Sequence, residues 1–206
     1  MTGHLLVLLR HGQSEWNLAN RFTGARDVDL TPAGAEEAGT AGRRIKACGI
    51  RFDAGFASAL RRASRSLDIV LDAMDQKDIP TVRSPALNER DYGDLTGLDK
   101  NAARERWGAA RVHIWRRSHE VAPPGGESLK DVAARVLPFY RRDIVPRVLR
   151  GERILVVAHE HSLRALVMEL ERLDAAQIVD RELATGVPAI YRIADEDAPE
   201  RLELTT

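Results

Sequence analysis

The stretch Leu5–Asn17, LLVLLRHGQSEWN, decides the fold. Leu5 to Leu9 are apolar without a polar break, the pattern of a strand covered on both faces. Such strands belong to open α/β sheets, whose ligands sit beyond the carboxyl ends of the strands. Here the run ends in Arg10, His11 and Gly12. An arginine at that place can grip a phosphate or carboxylate with two parallel hydrogen bonds. Glycine lets the backbone come close to a ligand, and histidine can act as nucleophile or base. On these three residues alone, a strand-end histidine beside a surface arginine is the simpler account, so the functional reading needs support elsewhere in the chain.

A chain of 206 residues suits one well-buried domain over 1–206. An apolar share of 44% and a charged share of 30% exclude a disordered or fibrous protein. Acidic and basic residues balance at 31 each, so the whole molecule is no trap for nucleic acid, and attraction for anions must come from local clustering. The single Cys48 excludes an intramolecular disulfide, fits a reducing compartment and reads as a small buried residue. No apolar run approaches the roughly 18 residues of a membrane span, and the N-terminus lacks the basic and apolar regions of a signal peptide. The expectation is a cytoplasmic protein with neither membrane nor nucleic-acid partner.

Working outward, Ser14–Asn20 reads as a short helix whose N-terminal amides face the same pocket as His11. Thr31-Pro32 is an N-cap followed by proline at the first helical position. Ala38, Ala41, Ile45 and Cys48 then form a narrow face of small residues, and Gly49 stops the helix. Phe52–Ala57 is a second strand. The helix after it carries Ala63, Leu67, Val70, Leu71 and Met74 on one face, with Arg61 and Arg62 in its first turn. Cations are unfavourable at that end of a helix unless they meet an anion. Thr81–Arg83 is a short third strand. Residues 85–126 break the βα rhythm and read as an insertion over the carboxyl edge of the sheet, with helices near 99–107 and 109–118 and too little apolar content for a core of its own. A long helix from Glu127 to about Leu149 should bend at Pro138 and Pro146. Ile154–Ala158 is another buried strand ending in a histidine, His159. A helix from Ser162 to Leu173 and strands at Ala189–Ile193 and Leu202–Leu204 complete the chain. The fold class is α/β: three layers, a mostly parallel sheet flanked by helices, with the insertion as its cap.

Taken together, RHGQSEWN at 10–17, NRFTG at 20–24, LNERDYGDLTGLDK at 87–100, WRR at 115–117, AHxxSLRAL at 158–166 and TGVP at 185–188 resemble the cofactor-dependent phosphoglycerate mutases of the histidine phosphatase superfamily. The likeness covers nearly the whole chain, in order. It implies a phosphoglycerate mutase-like fold and interconversion of 3- and 2-phosphoglycerate, with 2,3-bisphosphoglycerate as priming donor and intermediate and no metal. His11 matches the histidine that becomes phosphorylated, and His159 the second pocket histidine, a donor to the phosphoryl group in flight. Arg10 and Arg62 match the arginine clamps on that group. Glu89 matches the acid–base residue, a role that calls for a raised carboxyl pKa. Asn17, Thr23, Gly24, Tyr92, Lys100, Arg116 and Arg117 match the substrate-binding set. A homodimer and a homotetramer are both compatible with the family.

Two departures stand out. Longer members of the family carry more chain between WRR and the helix near Glu127, where this chain has only a Pro-Gly turn. The family also reads His-Gly-Asn-Ser where this chain reads His159-Glu160-His161-Ser162, placing a carboxylate and an imidazole where backbone amides border the substrate. Glu160 therefore either opposes phosphate in the pocket or faces solvent at a helix N-terminus. Three other readings follow. A broad histidine phosphatase would hydrolyse the same phosphohistidine, and a catalytically weakened homologue would owe its loss to Glu160 and His161. A metal-dependent hydrolase would use His159 and His161 as ligands on one strand face. His4, His113 and His119 read as surface or structural residues.

Overall fold

The computed structural model describes residues 4–196 and 198–203. Leu204, part of the expected last strand, lies outside them. The apolar run beginning at Leu5 forms β1 (Leu5–Arg10), followed by α1 (Glu15–Leu18), α2 (Pro32–Ala47), β2 (Ala54–Ser58), α3 (Arg61–Ala73) and β3 (Thr81–Ser84). The insertion holds α4 (Lys100–Trp107) and α5 (Ala109–Arg117). Then come α6 (Leu129–Phe139), α7 (Val145–Leu149), β4 (Ile154–Ala158), α8 (Glu160–Leu170), β5 (Pro188–Arg192) and β6 (Glu200–Leu202).

The sheet order is β3-β2-β4-β1-β5-β6. The first four strands are parallel, while β5 runs antiparallel to β1 and β6 antiparallel to β5. The unbroken apolar run of β1 follows from helices on both faces. Leu5, Val7 and Leu9 pack with Ala41, Ile45 and Leu67 on one side, while Leu6 and Leu8 pack with Val136, Leu163 and Leu166 on the other. In the register that pairs Arg10 with Ala158, the carboxyl ends of β1, β4 and β2 lie side by side. They deliver His11, His159 and Ser58 to one edge.

Local chemistry sets most helix ends. The Thr31 hydroxyl accepts from the Gly34 N–H at 3.0 Å, as the Thr-Pro pair predicts. The small face of α2 packs on the core of β1, and it also brings α2 against α3. A Cβ on Gly42 would lie 2.7 Å from the Val70 carbonyl oxygen. Cys48 is half-buried and packs against the same core. The expected long helix is three pieces: α6 contains Pro138, a π turn spans Tyr140–Ile144, and α7 starts with Pro146 in its first turn. The wider turn lies between the two prolines, each of which lacks the N–H that a regular helix would use. The helix after His159 begins at Glu160, two residues before the expected Ser162.

The insertion is less polar inside than its composition suggests. Tyr92, Leu95, Ala103, Val112 and Trp115 form a small cluster with Phe22, which comes from outside the insertion. Its Pro-Gly turn docks on the Asp91-Tyr92-Gly93 segment, with Asp94 N–H donating to the Pro124 carbonyl at 2.9 Å and Glu127 N–H to that of Asp91 at 2.9 Å.

Candidate active site

His11 leaves the sheet at the end of β1 with its N–H on the Ala158 carbonyl at 3.0 Å and its ring buried. Nδ1 lies 2.6 Å from the carbonyl oxygen of Gly12. A carbonyl only accepts, so Nδ1 carries the proton and Nε2 keeps the lone pair. Burial, then the charges of Arg62 and Arg10, push the His11 pKa down to about 3. The ring is a neutral imidazole with Nε2 available. Gly12, read as room for a ligand, serves the fold instead: a Cβ there would run into the carbonyl oxygen of Gly34 at the start of α2.

Arg62 meets that Nε2. Its Nε donates to it at 3.3 Å, while NH1 and NH2 donate to the carbonyls of Arg26 at 2.7 Å and Gly24 at 2.9 Å. Burial lowers its pKa to about 10, which leaves the guanidinium charged at neutral pH. The cation in the first turn of α3 is thus held by loop carbonyls. Asp27 meets the free helix end: its Oδ1 accepts from the Arg61 N–H at 2.6 Å, a cap that the N-cap residue Leu60 cannot supply.

His159 packs against His11 with ring centroids 4.9 Å apart. The Ser58 hydroxyl donates to Asn88 Oδ1 at 2.7 Å, and that oxygen also accepts from the Ala59 N–H at 3.1 Å. With its one proton so used, Ser58 must accept from His159 Nε2 at 2.8 Å. Nδ1 of His159 is then a buried lone pair without a partner among the described residues. Burial, with Arg62 and His11 beside it, holds this histidine well below its ordinary pKa. In the absence of an anion it is neutral, and it becomes the expected donor only by taking a proton at Nδ1.

The cavity in front of His11 is lined by Arg10, Asn17, Thr23, Gly24, Arg62, Glu89, Tyr92, Lys100, Arg116 and Glu160, together with Arg21 and Phe22. Arg21 and Phe22 were not anticipated, although both belong to the quoted NRFTG segment. Three expected residues do not line it. His159 lies behind His11, and Arg117 is paired with Glu160 at 3.4 Å and with Glu182. His161 is buried, with Nδ1 3.1 Å from Glu89 Oε1 and Nε2 3.2 Å from the Arg116 carbonyl oxygen. Both partners are acceptors, so the ring is fully hydrogen-bonded only with a proton on each nitrogen. This geometry also removes the metal reading. The two histidines lie at a helix start rather than on one strand face, with His159 Nε2 on Ser58 and the His161 nitrogens on Glu89 and the Arg116 carbonyl.

Glu89 Oε1 accepts from the Arg90 N–H at 2.8 Å and the His161 N–H at 3.3 Å, besides the His161 ring. Oε2 is the oxygen left for a ligand. Burial pushes this carboxyl up, but His161, then His159 and the Arg90 amide, outweigh it and hold Glu89 well below the usual range. A raised pKa was expected. The geometry instead makes Glu89 a carboxylate, ready to accept a proton. The short helix α1 also differs from expectation, because its first amides are already used. Asn17 N–H donates to Ser14 Oγ at 3.2 Å and Ser14 N–H to Asn17 Oδ1 at 3.1 Å. Asn17 therefore lines the cavity with its amide oxygen engaged.

The arrangement joins a neutral imidazole, a buried guanidinium on its free nitrogen and a cavity rich in cations. A phosphoryl group is the electrophile such a site can accept and stabilise. Comparison with known proteins agrees. A relative from Methylobacterium sp. (strain 4-46), named 2,3-bisphosphoglycerate-dependent phosphoglycerate mutase, is 60% identical over 200 residues, covering 97% of this chain and 96% of that one. One of the same name from Bradyrhizobium sp. (strain BTAi1 / ATCC BAA-1182) is 58% identical over 99% of both chains. The likeness to relatives of that name thus spans nearly the whole of both chains. Among solved structures, Bacillus stearothermophilus YhfR superposes with a TM-score of 0.83 at 26% identity over 96% of this chain and 94% of that one. A mycobacterial glucosyl-3-phosphoglycerate phosphatase complexed with VO3 superposes with a TM-score of 0.82 at 25% identity over 96% of both. The family model for branch 1 of the histidine phosphatase superfamily matches residues 6–202, and the chain belongs to that superfamily.

Proposed function

We propose that this chain is a 2,3-bisphosphoglycerate-dependent phosphoglycerate mutase of the cytoplasm, interconverting 3- and 2-phosphoglycerate through a phosphorylated His11. The observation that carries the proposal is identity of 57–60% across nearly the whole chain with relatives of that name, on a site whose imidazole is neutral. The phosphatases among the structural neighbours stand at about a quarter identity, which gives hydrolysis less support.

His11 Nε2 has the lone pair for attack on phosphorus, while Nδ1 keeps its proton and donates it to the Gly12 carbonyl oxygen throughout. Arg62 exchanges its bond to Nε2 for one to the phosphoryl oxygens and stays anchored by two carbonyls. Charge stabilisation of this kind supplies most of the catalysis in phosphoryl transfer. His159, packed against His11, holds a proton more readily once dianionic oxygens arrive, because their charge offsets that of Arg62. Glu89, ionised, accepts the proton of the substrate hydroxyl that attacks phosphohistidine, and returns it in the reverse step. Lys100 and Arg116, in the same lining, add to the positive field on the far anionic groups.

The bisphosphate fits these residues: Arg10, Arg62, Lys100 and Arg116 face one cavity together with His11. When bound it supplies the phosphoryl group that primes His11. The deciding assay is interconversion of 3- and 2-phosphoglycerate with and without trace 2,3-bisphosphoglycerate, in the presence of a chelator. Stimulation by the bisphosphate, together with one acid-labile phosphoryl mass that is absent from His11→Ala, is expected. Release of inorganic phosphate without isomerisation would overturn the proposal in favour of a phosphatase.

A further inference from the structure

Glu160 is the first residue of α8, and its carboxylate lines the cavity. Oε2 lies 3.4 Å from Arg10 NH1, and Oε1 3.4 Å from Arg117 NH1. Arg117 does not line the cavity, and its other nitrogen is held by Glu182. Glu160 thus stands between the cavity and Arg117. Arg10 is anchored separately, with NH1 on the Leu183 carbonyl at 2.7 Å, so both guanidinium groups keep their places whether or not Glu160 lies between them.

We propose that Glu160 sets affinity and specificity in this pocket: its carboxylate occupies the place between Arg10 and Arg117 that a substrate's second anionic group takes, and such a substrate must displace it. Three observations meet here. The carboxylate bridges two cations of one anion site, as a bound anion would. It stands at a helix start, where the macrodipole favours negative charge. Burial pushes its carboxyl up, yet Arg10, His161 and Arg117 hold it below the usual range, so it competes as a full charge. A carboxylate or phosphate entering the same place meets that charge at a few ångströms, and is repelled until Glu160 turns away.

The inference rests on the mutase reading for its choice of ligand, but it is read as binding and not as turnover. Dephosphorylated enzyme, which lacks the phosphoryl group that mutase turnover needs, is titrated with 3-phosphoglycerate by calorimetry, comparing wild type, Glu160→Gln and Glu160→Gly. Both variants should bind about tenfold or more tightly. A gain of affinity is an outcome that loss of a merely structural ion pair does not produce. Unchanged or weaker binding in both variants, or no binding to any of the three proteins, would overturn the inference. Absence of interconversion in wild type bears on the proposed function alone, because tightening in the variants would stand without it.

Discussion

Two arginines of the cavity should divide the work. Arg62 bonds to the attacking nitrogen itself, whereas Arg116 lines the cavity from the insertion. Arg62→Lys keeps the charge and loses the planar fork, so kcat should fall about 10²–10³-fold with little change in KM. Arg116→Ala should instead raise KM more than it lowers kcat. Equal effects on KM from both would refute the split, and steady-state kinetics decides it. That His11, Arg10, Arg62 and Glu89 belong together was legible in the sequence motifs, and the fold gathers all four around one cavity. Glu160 and His161 were not legible, because whether a helix-start side chain faces a cavity depends on the starting residue. Beginning α8 at Glu160 turns that carboxylate to Arg10 and Arg117, and sends the next ring inward to Glu89. Phe22 was missed for a similar reason. It reads as an ordinary loop aromatic until the insertion packs on it.

At the scale of elements, the loop 24–27 connects stability with catalysis. Its carbonyls hold the Arg62 fork, and Asp27 caps the first turn of α3. Removing a cap of this kind costs about 1 kcal/mol, or roughly 2–4 °C in Tm for a chain of this size. Asp27→Ala should show that loss in thermal melts and also lower kcat severalfold, because the freed loop no longer fixes the guanidinium. A Tm loss with unchanged kcat would show that the carbonyls hold without the cap. The strands ending in histidine and the Thr31-Pro32 start were readable because propensity and burial agree there. The break at Tyr140–Ile144 was only half readable: two prolines say that a helix must yield, but not that a wider turn carries the chain through. The hairpin-like edge of β5 and β6 needed the sheet itself, since nothing local makes β5 run against β1.

For the whole molecule, the costly feature is the placing of two neutral histidines in a buried, cationic site, and acid should expose it. The ordinary histidine value of about 6.5 is that of the unfolded chain, whereas folded His11 is pushed down to about 3 and His159 well below normal. Between those values the unfolded state binds protons that the folded state refuses, so stability is complete above about pH 6.5 and falls as pH drops. From pH 7 to pH 5, His11 alone should remove about 2 kcal/mol, with His159 adding in the same direction. The carboxyls held low by cations, Glu89 and Glu160, begin to cost stability only below their unfolded values near 4.3, so this window belongs to the histidines. Urea unfolding at pH 7, 6 and 5 should therefore show a steep loss in wild type and a loss about 2 kcal/mol smaller in His11→Gln. Saturating 3-phosphoglycerate should flatten the slope further, because the proton that His159 refuses in the empty pocket becomes one that the ligand requires. Equal slopes in wild type and His11→Gln would mean that folded His11 takes up its proton as it does in the unfolded chain, and the claim that burial and the two arginines hold the nucleophile neutral would be lost.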